Sequence, residues 1–448
     1  MKSFLVSGDR SGAGKTTITL ALCSILAKEG TVQAYKTAMD YIDTSYLSGV
    51  TKRPAYNLDS FVQSDEEMEG LFAYGASDAD FGVVEGVRGL YEGRDAFSDA
   101  GSTASIAKRF NLPVILVLNA RSITRSAAAV VLGFQKFDPE VSIAGVILNN
   151  VGSKRHVEKA SSAIEHYCGI PVFGAVPRDS AMELCGRHLG LVPFYEKSAG
   201  DSGFSGKIDE IAGIVSECID IDAVKAAARE VAPKQNSVSE RLSSRPKPSG
   251  KVAVAYDEAF NFYYGETDAV ISSLGYAVEY FSPIHDSLPD ADGYLFGGGY
   301  PEIFASKLSE NASIMEDIAC AAKYGSAIYA ECGGLMYLTR SLSVSGNRYP
   351  MCGVIPGECI MPAVKRLGYV TGEAYLNGKT LPFAGHEFHY SGVCMDDNAD
   401  YAFRLSRGEG ICGGKDGAVF KNTSAGYTHL MPVSSQDIYL EIFAGDGL

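Results

Sequence analysis

The chain has 448 residues, more than one hydrophobic core usually serves, so two or perhaps three domains are expected. With 46% hydrophobic and 21% charged residues it is an ordinary globular chain, not a disordered or membrane-embedded one. A net charge of -15 excludes nucleic acid and anionic membranes as general partners, because the summed field repels polyanions. No apolar run reaches the length of a membrane span and the first residues read as a short strand, so a cytoplasmic location is expected. Ten cysteines without a C-x-x-C pair point to reduced thiols, most of them interior packing.

From Met1 onward, SFLVSG, TVQAYK, FGVVEG, PVILVLN and IAGVILNN read as buried strands. Helical stretches such as Thr16 to Lys28 and His156 to His166 lie between them. Continuous Val/Ile/Leu runs predict a parallel sheet covered on both faces. The first strand runs into a glycine-rich turn and a helix. Backbone N–H groups of Gly12, Ala13, Gly14, Lys15, Thr16 and Thr17 are therefore expected to cradle the phosphates of ATP. Lys15 is expected to reach the outer phosphates and Thr16 to offer its hydroxyl to Mg²⁺. The strict G-x-x-x-x-G-K-T spacing is not met, since Gly8 lies one residue too far from Gly14. The looser pattern resembles the dethiobiotin-synthetase-like branch of P-loop enzymes.

A nucleotide-bound Mg²⁺ also takes carboxylates, and open parallel sheets collect ligands at the carboxyl ends of their strands. Asp40 and Asp43 follow the second strand, and Glu85 ends the strand FGVV. Read singly, Asp40 and Asp43 are as well explained as turn or helix-cap residues. Glu85 is a poor packing choice at the end of an apolar strand and a suitable metal or water ligand.

Residues 234–250 are rich in Ser, Pro, Lys and Arg and predict a linker between an ATP-binding domain, 1–233, and a second α/β domain, 251–448. The second domain opens with KVAVAYD, followed by YAVEYFSP, GYLFGGGYPE and SAIYAECGG. In the last of these an apolar strand meets Cys332, Gly333 and Gly334, the context of a nucleophile on a sharp turn, where a helix N-terminus favours thiolate. His429, about a hundred residues on, supplies a base in the Cys-then-His order of class I glutaminases. Gly298 and Gly299 offer N–H groups to the oxyanion formed on the glutamine amide. The residue two after His429 is Met431, so no third acid is visible. His386 and His389, spaced i, i+3 in a β-like stretch, read as structural or interface residues in preference to a metal site.

Together DYIDTSY, RPAYNLDSF, VEGVRGLYEG, GVILNNV, GAVPR, ECGGLMYL and GHEFHYS resemble, in order and over nearly the whole chain, the cobyrinate a,c-diamide synthase family. The resemblance implies an α/β protein with two parts. One is a dethiobiotin-synthetase-like P-loop domain with a parallel sheet, and the other is a class I glutamine amidotransferase-like domain. It implies ATP-dependent conversion of the a and c acetates of a corrin-type ring to amides, through an acyl phosphate attacked by ammonia from L-glutamine. By the same resemblance the loop Gly12 to Thr17 holds ATP, Thr16 with Glu85 holds Mg²⁺, and Asp40 and Asp43 serve metal or substrate. The family also commonly lacks the third acid.

Two departures stand out. Ala38 and Met39 replace the Gly-Pro that commonly precedes the first aspartate, and Gly89–Gly93 reads G-L-Y-E-G where the family has G-L-F-D-G. The Ala-Met step resembles a methanogen branch acting on Ni-sirohydrochlorin on the way to coenzyme F430. At those positions it admits a helical or extended backbone, with a flexible apolar side chain to lie on a macrocycle.

An anionic tetrapyrrole meeting an acidic protein requires a local basic wall. Lys36, Lys52, Arg53, Arg88 and Arg94 are expected to supply it, with Tyr41 in the loop from Thr37 to Tyr46 beside the ring. Two other functions fit parts of the pattern: a P-loop ATPase switch carrying an inert glutaminase-like domain, and amidation of another polycarboxylate. The former has no use for Cys332. A homodimer is compatible with the sequence, which does not fix the oligomeric state.

Overall fold

The computed structural model of the chain describes residues 1–182, 186–187, 190–191 and 203–443. The last five residues of the second domain expected from the sequence lie outside this range. Two compact units are present, Met1–Ser239 and Glu240–Leu448.

The first unit is built on seven parallel strands: β1 (Lys2–Gly8), β2 (Val32–Thr37), β3 (Tyr56–Leu58), β4 (Phe81–Glu85), β5 (Val114–Asn119), β6 (Ile143–Val151) and β7 (Val172–Pro177). They lie in the order β3-β2-β4-β1-β5-β6-β7, and a short strand at Arg229–Glu230 pairs antiparallel with β1. Val83, Val84, Ile115, Leu116 and Val117 are all fully buried, on alternate faces, which is why these strands are continuously apolar. Helix α1 (Lys15–Leu26) follows β1, and α2 (Ile42–Thr51) follows β2. In α3 (Asp65–Gly75) Ser64 and Glu67 form a capping box.

The boundary between the units falls within the segment expected as a linker, and that segment is not bare coil. Ser237–Ser243 is helical, with Val238 and Leu242 buried. Two apolar residues four apart suffice to give a short helix one buried side.

The second unit carries a ten-stranded sheet. In chain order its strands are β8 (Gly250–Ala255), β9 (Tyr276–Phe281), β10 (Gly293–Phe296), β11 (Ala327–Glu331), β12 (Arg366–Leu376), β13 (Lys379–His389), β14 (Asp400–Arg407), β15 (Lys415–Phe420), β16 (Thr423–Gly426) and β17 (His429–Leu430). The spatial order is β9-β8-β10-β11-β16-β15-β14-β12-β13-β17. The first five strands are parallel and the rest antiparallel. That antiparallel half was not anticipated. Its sign was Asn377–Gly378, both at positive φ between Leu376 and Lys379, the two-residue turn that matches strand twist in a hairpin. Alternate β8 residues feed two apolar clusters, Ala253 and Ala255 one and Val252 and Val254 the other, so this sheet too is covered on both faces.

Candidate active sites

In the first unit β1 ends at Gly8 and α1 begins at Lys15, leaving Asp9 to Gly14 as the turn. Gly12 and Gly14 take positive φ, +73° and +94°. A Cβ on Gly14 would lie 2.1 Å from Asn149 Nδ2, and that amide donates to the Ala13 carbonyl at 2.8 Å. Asn149, near the end of β6, therefore props the loop. Its signal in the sequence was a polar residue closing the apolar run GVILNN. Ala13 and Lys15 are buried, whereas Thr16 and Thr17 are half-buried in the first turn of α1. Burial, then the neighbouring charge of Lys36, lowers the pKa of Lys15.

Beside the loop lies a compact ionic cluster. Lys36 and Glu85 are register partners on β2 and β4, so both side chains emerge at the carboxyl end of the sheet. Lys36 Nζ donates to Asp43 Oδ2 at 2.6 Å, Glu85 Oε1 at 2.8 Å and the Gly86 carbonyl at 3.3 Å. The Thr16 hydroxyl is 2.6 Å from Glu85 Oε1 and 3.3 Å from Asp43 Oδ2. Burial alone would raise the Asp43 carboxyl, but the Lys36 charge and the hydrogen bonds from Lys36 and Thr16 hold it below its ordinary range. Burial pushes Glu85 up, against the Lys36 charge. The Glu85 Oε2 atom is buried without a hydrogen-bond partner. Hard oxygen donors from Thr16, Asp43 and Glu85, one of them orphaned, fit a small divalent cation. Among the described residues no ready-made group of three or more His, Cys, Asp or Glu side chains is present.

The two aspartates divide the roles weighed for them. Asp40 Oδ1 accepts from the Asp43 N–H at 2.9 Å at the start of α2, a helix-capping contact, while the Asp43 side chain joins the cluster. Burial first, then the Asp43 charge, pushes the Asp40 carboxyl up to about 7. Ala38, between β2 and Asp40, has φ +66°, so its backbone is left-handed, contrary to the helical or extended expectation. Glycine takes that conformation freely, whereas a Cβ there costs about 1 kcal/mol.

The expected basic wall is only partly assembled. Arg88, exposed and at positive φ, is on the loop leaving Glu85. Tyr41 is buried next to Asp40 in the chain. Arg94 pairs with Asp95 at 2.9 Å and lies over the Phe61 ring. Arg53 is not brought to the cluster. It is held by Asp78 at 2.7 Å and by Gln33 at 3.1 Å, and Gln33 belongs to the opposite end of β2 from Lys36. A bidentate carboxylate partner competes better for a guanidinium than an open site does. Lys52, the exposed left-handed C-cap of α2, stands at the far end of that helix from Asp43.

In the second unit β11 delivers Glu331 and then Cys332, whose backbone is at φ 48°, ψ -94°, before the short helix Gly333–Leu338. Such a non-glycine conformation costs about 1–3 kcal/mol and is held by its surroundings. The Cys332 N–H donates to the Gly426 carbonyl at 2.7 Å, and the Gly334 N–H to the Gly297 carbonyl at 3.0 Å. Close approach explains the glycines. A Cβ on Gly298 would come 2.6 Å from His429 Cε1, and one on Gly333 would come 3.0 Å from the Gly299 nitrogen. Cys332, His429, Gly298 and Gly299 are thus brought together.

The acid missing from the motif is Glu331. Its Oε2 lies 3.4 Å from His429 Nδ1, while Oε1 accepts from Tyr329 O–H and the Leu430 N–H, both at 3.0 Å. It escapes a search downstream of His429 because it precedes the cysteine. Its only signal was a carboxylate in an otherwise apolar strand, YAEC. His386 stacks on His429 with ring centroids 4.8 Å apart, and His389 stacks on Tyr427 at 3.6 Å. Both rings therefore line this site, and His389 Nδ1 is 2.8 Å from the Ser391 carbonyl.

Burial dominates the electrostatics here. It raises the Cys332 thiol, against a hydrogen bond from Gly333, so the thiolate expected from the helix terminus is not the resting form. A helix of 6 residues, fewer than two turns, makes too small a dipole to offset that desolvation. Burial lowers His429 to about 3 and raises Glu331 to about 8. The resting site is a thiol beside a neutral imidazole.

Comparison with known proteins agrees with this division. Residues 4–192 match the CobQ/CobB/MinD/ParA nucleotide binding domain, and residues 251–436 match the CobB/CobQ-like glutamine amidotransferase domain. A relative from Methanosarcina barkeri, "Cobyrinate a,c-diamide synthase", is 44% identical across 97% of this chain and 93% of its own length. Proteins of the same name from Methanosarcina acetivorans and Methanobrevibacter smithii are each 42% identical across 97% and 95% of this chain, covering 93% and 94% of theirs. The chain belongs to the cobyrinate a,c-diamide synthase family. It is therefore an amide-forming ligase with a nucleotide-binding half and a glutamine amidotransferase half. The Lys36 cluster lies in the former matched span and the Cys332 elbow in the latter. No helix of the described residues is long and apolar enough to cross a membrane.

Proposed function

We propose that the protein converts two acetate carboxylates of an anionic tetrapyrrole to amides, using ATP and L-glutamine. The observation that carries this reading is the presence on one chain of a phosphate loop facing a carboxylate cluster and a Cys332–His429–Glu331 constellation. The relatives' name supplies the substrate class.

In the first unit the loop Gly12 to Thr17 binds the phosphates through backbone N–H groups, and Lys15 faces the outer ones. Thr16, Asp43 and Glu85 would hold Mg²⁺, which would supply neutralising charge to the transferred phosphoryl group. A ring carboxylate oxygen attacks the γ-phosphorus, ADP leaves, and an acyl phosphate forms. Ammonia then attacks the acyl carbon and phosphate departs, leaving the amide. Arg88 and Arg94, on the loop that leaves Glu85 after β4, are assigned to the ring's other carboxylates.

In the second unit neutral His429 takes the Cys332 proton as the sulfur attacks the glutamine amide. Glu331 orients the imidazole through Nδ1, and its carboxylate form, favoured as His429 gains a proton, stabilises the imidazolium. Gly298 and Gly299 N–H groups are assigned to the oxyanion. His429 returns the proton to the departing ammonia, and water hydrolyses the thioester to glutamate.

The test is incubation with ATP, glutamine and each candidate ring, with products resolved by mass. Ring-dependent ADP release with two successive losses of one mass unit is expected, and hydroxylamine should trap the acyl phosphate as a hydroxamate. ATP hydrolysis indifferent to the ring would sink the reading.

A second reading concerns the ring. Met39, half-buried beside left-handed Ala38, puts a flexible thioether where Gly-Pro is common in the family, and this favours Ni-sirohydrochlorin over cobyrinate. Competition at equal concentrations decides, and a strong preference for cobyrinate would overturn the lean without touching the mechanism.

A further inference from the structure

The carboxylates of the phosphate site are already paired with a cation that belongs to the chain. Lys36 is 2% exposed, and its ammonium bridges Asp43 Oδ2 at 2.6 Å and Glu85 Oε1 at 2.8 Å. The same two oxygens are those within reach of the Thr16 hydroxyl, so ammonium and hydroxyl converge on one pair of acceptors. Glu85 Oε2, fully buried and unpartnered, is the remaining donor of that carboxylate. Glu85 itself is 0% exposed, so without Lys36 a buried carboxylate would lack a counter-charge.

We infer that Lys36 is a resident counter-ion that holds the metal-binding carboxylates shut to a free divalent cation and yields them only when nucleotide arrives with it. The argument is one of charge. Lys15 and Lys36 offset most of the charge of Asp43, Glu85 and the neighbouring Asp40 in a buried space, so a bare dication entering it meets two ammonium groups and a weakened attraction. A triphosphate changes the balance. Its oxygens complete the coordination of the cation and at the same time give the displaced ammonium a new anionic partner. The pairing also holds the site together before nucleotide binds, since two carboxylates without a cation between them would repel at hydrogen-bonding range.

This inference rests on the proposed ATP site, and the experiment separates the two. Mn²⁺ binding is measured by the electron paramagnetic resonance of the free ion. The full-length protein and Lys36→Met are compared, with and without a non-hydrolysable ATP analogue. Wild type without nucleotide is expected to bind Mn²⁺ at least tenfold more weakly than Lys36→Met. Adding Glu85→Gln to Lys36→Met should remove the gained site. Because the variant leaves buried carboxylates unpaired, its thermal unfolding is followed as well: Mn²⁺ should raise its melting temperature by several degrees and leave nucleotide-free wild type unmoved. Equal Mn²⁺ affinity in the two proteins overturns the inference, as does a variant that stays unfolded whether or not Mn²⁺ is present. Failure of wild type to bind the analogue at all would instead remove the ATP reading beneath it.

Discussion

Both candidate sites sit where parallel strands end, yet they treat charge in opposite ways. At the ends of β2 and β4 the chain gathers Lys36, Asp43 and Glu85 within hydrogen-bonding distance, with Lys15 close by, and sets opposite charges against one another, so that Lys36 holds Asp43 below its ordinary range although burial pushes Glu85 up and Lys15 down. At the end of β11 burial moves every titratable group toward its neutral form: thiol, imidazole and carboxyl. The difference follows from what each must handle. A phosphate transfer presents full charges from the start, so the site needs charges to meet them. Glutamine is neutral, and charge appears only as the sulfur attacks, so a site that stays uncharged until then stabilises the transition state more than the ground state.

The widest separation between the two regions is expected from Cys332→Ala. Glutamine-dependent amidation should fall by about a thousandfold or more, because no other group can form the thioester. Amidation driven by a high concentration of ammonium salt should survive, since only the nitrogen source is lost. Wild-type activity of the variant on glutamine would break the comparison at its second term. Next in size come Lys15→Ala and Glu85→Gln, which should lower amidation by about a hundredfold or more with either nitrogen source. Glutamine hydrolysis should persist in both. If both variants amidated at the wild-type rate, the charged cluster would be structural and the phosphate chemistry would lie elsewhere.

How much of this could be read in advance depended on how local each signal was. The phosphate loop and the cysteine elbow are contiguous strand-turn-helix segments, so their chemistry is written in a dozen residues. Lys36 and Glu85 were singled out separately, but that they oppose each other required the strand order, in which β4 sits between β2 and β1. Arg53 misled because its place in the sequence is near Lys36, while a helix and its return carry it to the other end of the strand, where Asp78 holds it. Glu331 was invisible for a different reason. A search for the acid beyond His429 follows sequence order, whereas a neighbour of the cysteine reaches the same nitrogen from the strand.

Glu331→Gln sharpens the comparison within the second region. If Glu331 must ionise to stabilise protonated His429, glutamine hydrolysis should lose about a hundredfold in kcat with KM little changed, whereas a Glu331 that works as the neutral carboxyl favoured by burial should be replaced by Gln with little loss. Ammonia-driven amidation should be untouched, and Glu331→Asp should recover part of the rate. A role in packing alone predicts a lower melting temperature with normal kcat in the folded fraction.

The smallest effect tests whether neutrality is a general property of the second unit's interior or special to its active site. Glu266 precedes the helix Thr267–Ser273, is 0% exposed, and neither of its oxygens has a hydrogen-bond partner on another residue. Burial pushes its carboxyl from 4.5 up to about 8. The folded chain therefore keeps a proton that the unfolded chain releases above 4.5. Stability from this group is fully present below that value and is lost as pH rises toward 8. Glutamine mimics the protonated form and cannot ionise, so Glu266→Gln should gain on wild type as the pH climbs. Any fixed cost of burying the extra amide hydrogens is the same at every pH and drops out of the slope. Thermal unfolding at pH 5 and pH 8 should show the difference between the two proteins shifting by at least about 1 kcal/mol in the variant's favour. A difference independent of pH would mean that Glu266 ionises normally in the fold, and that the neutral state of Glu331 owes more to its own surroundings than to the dryness of the unit.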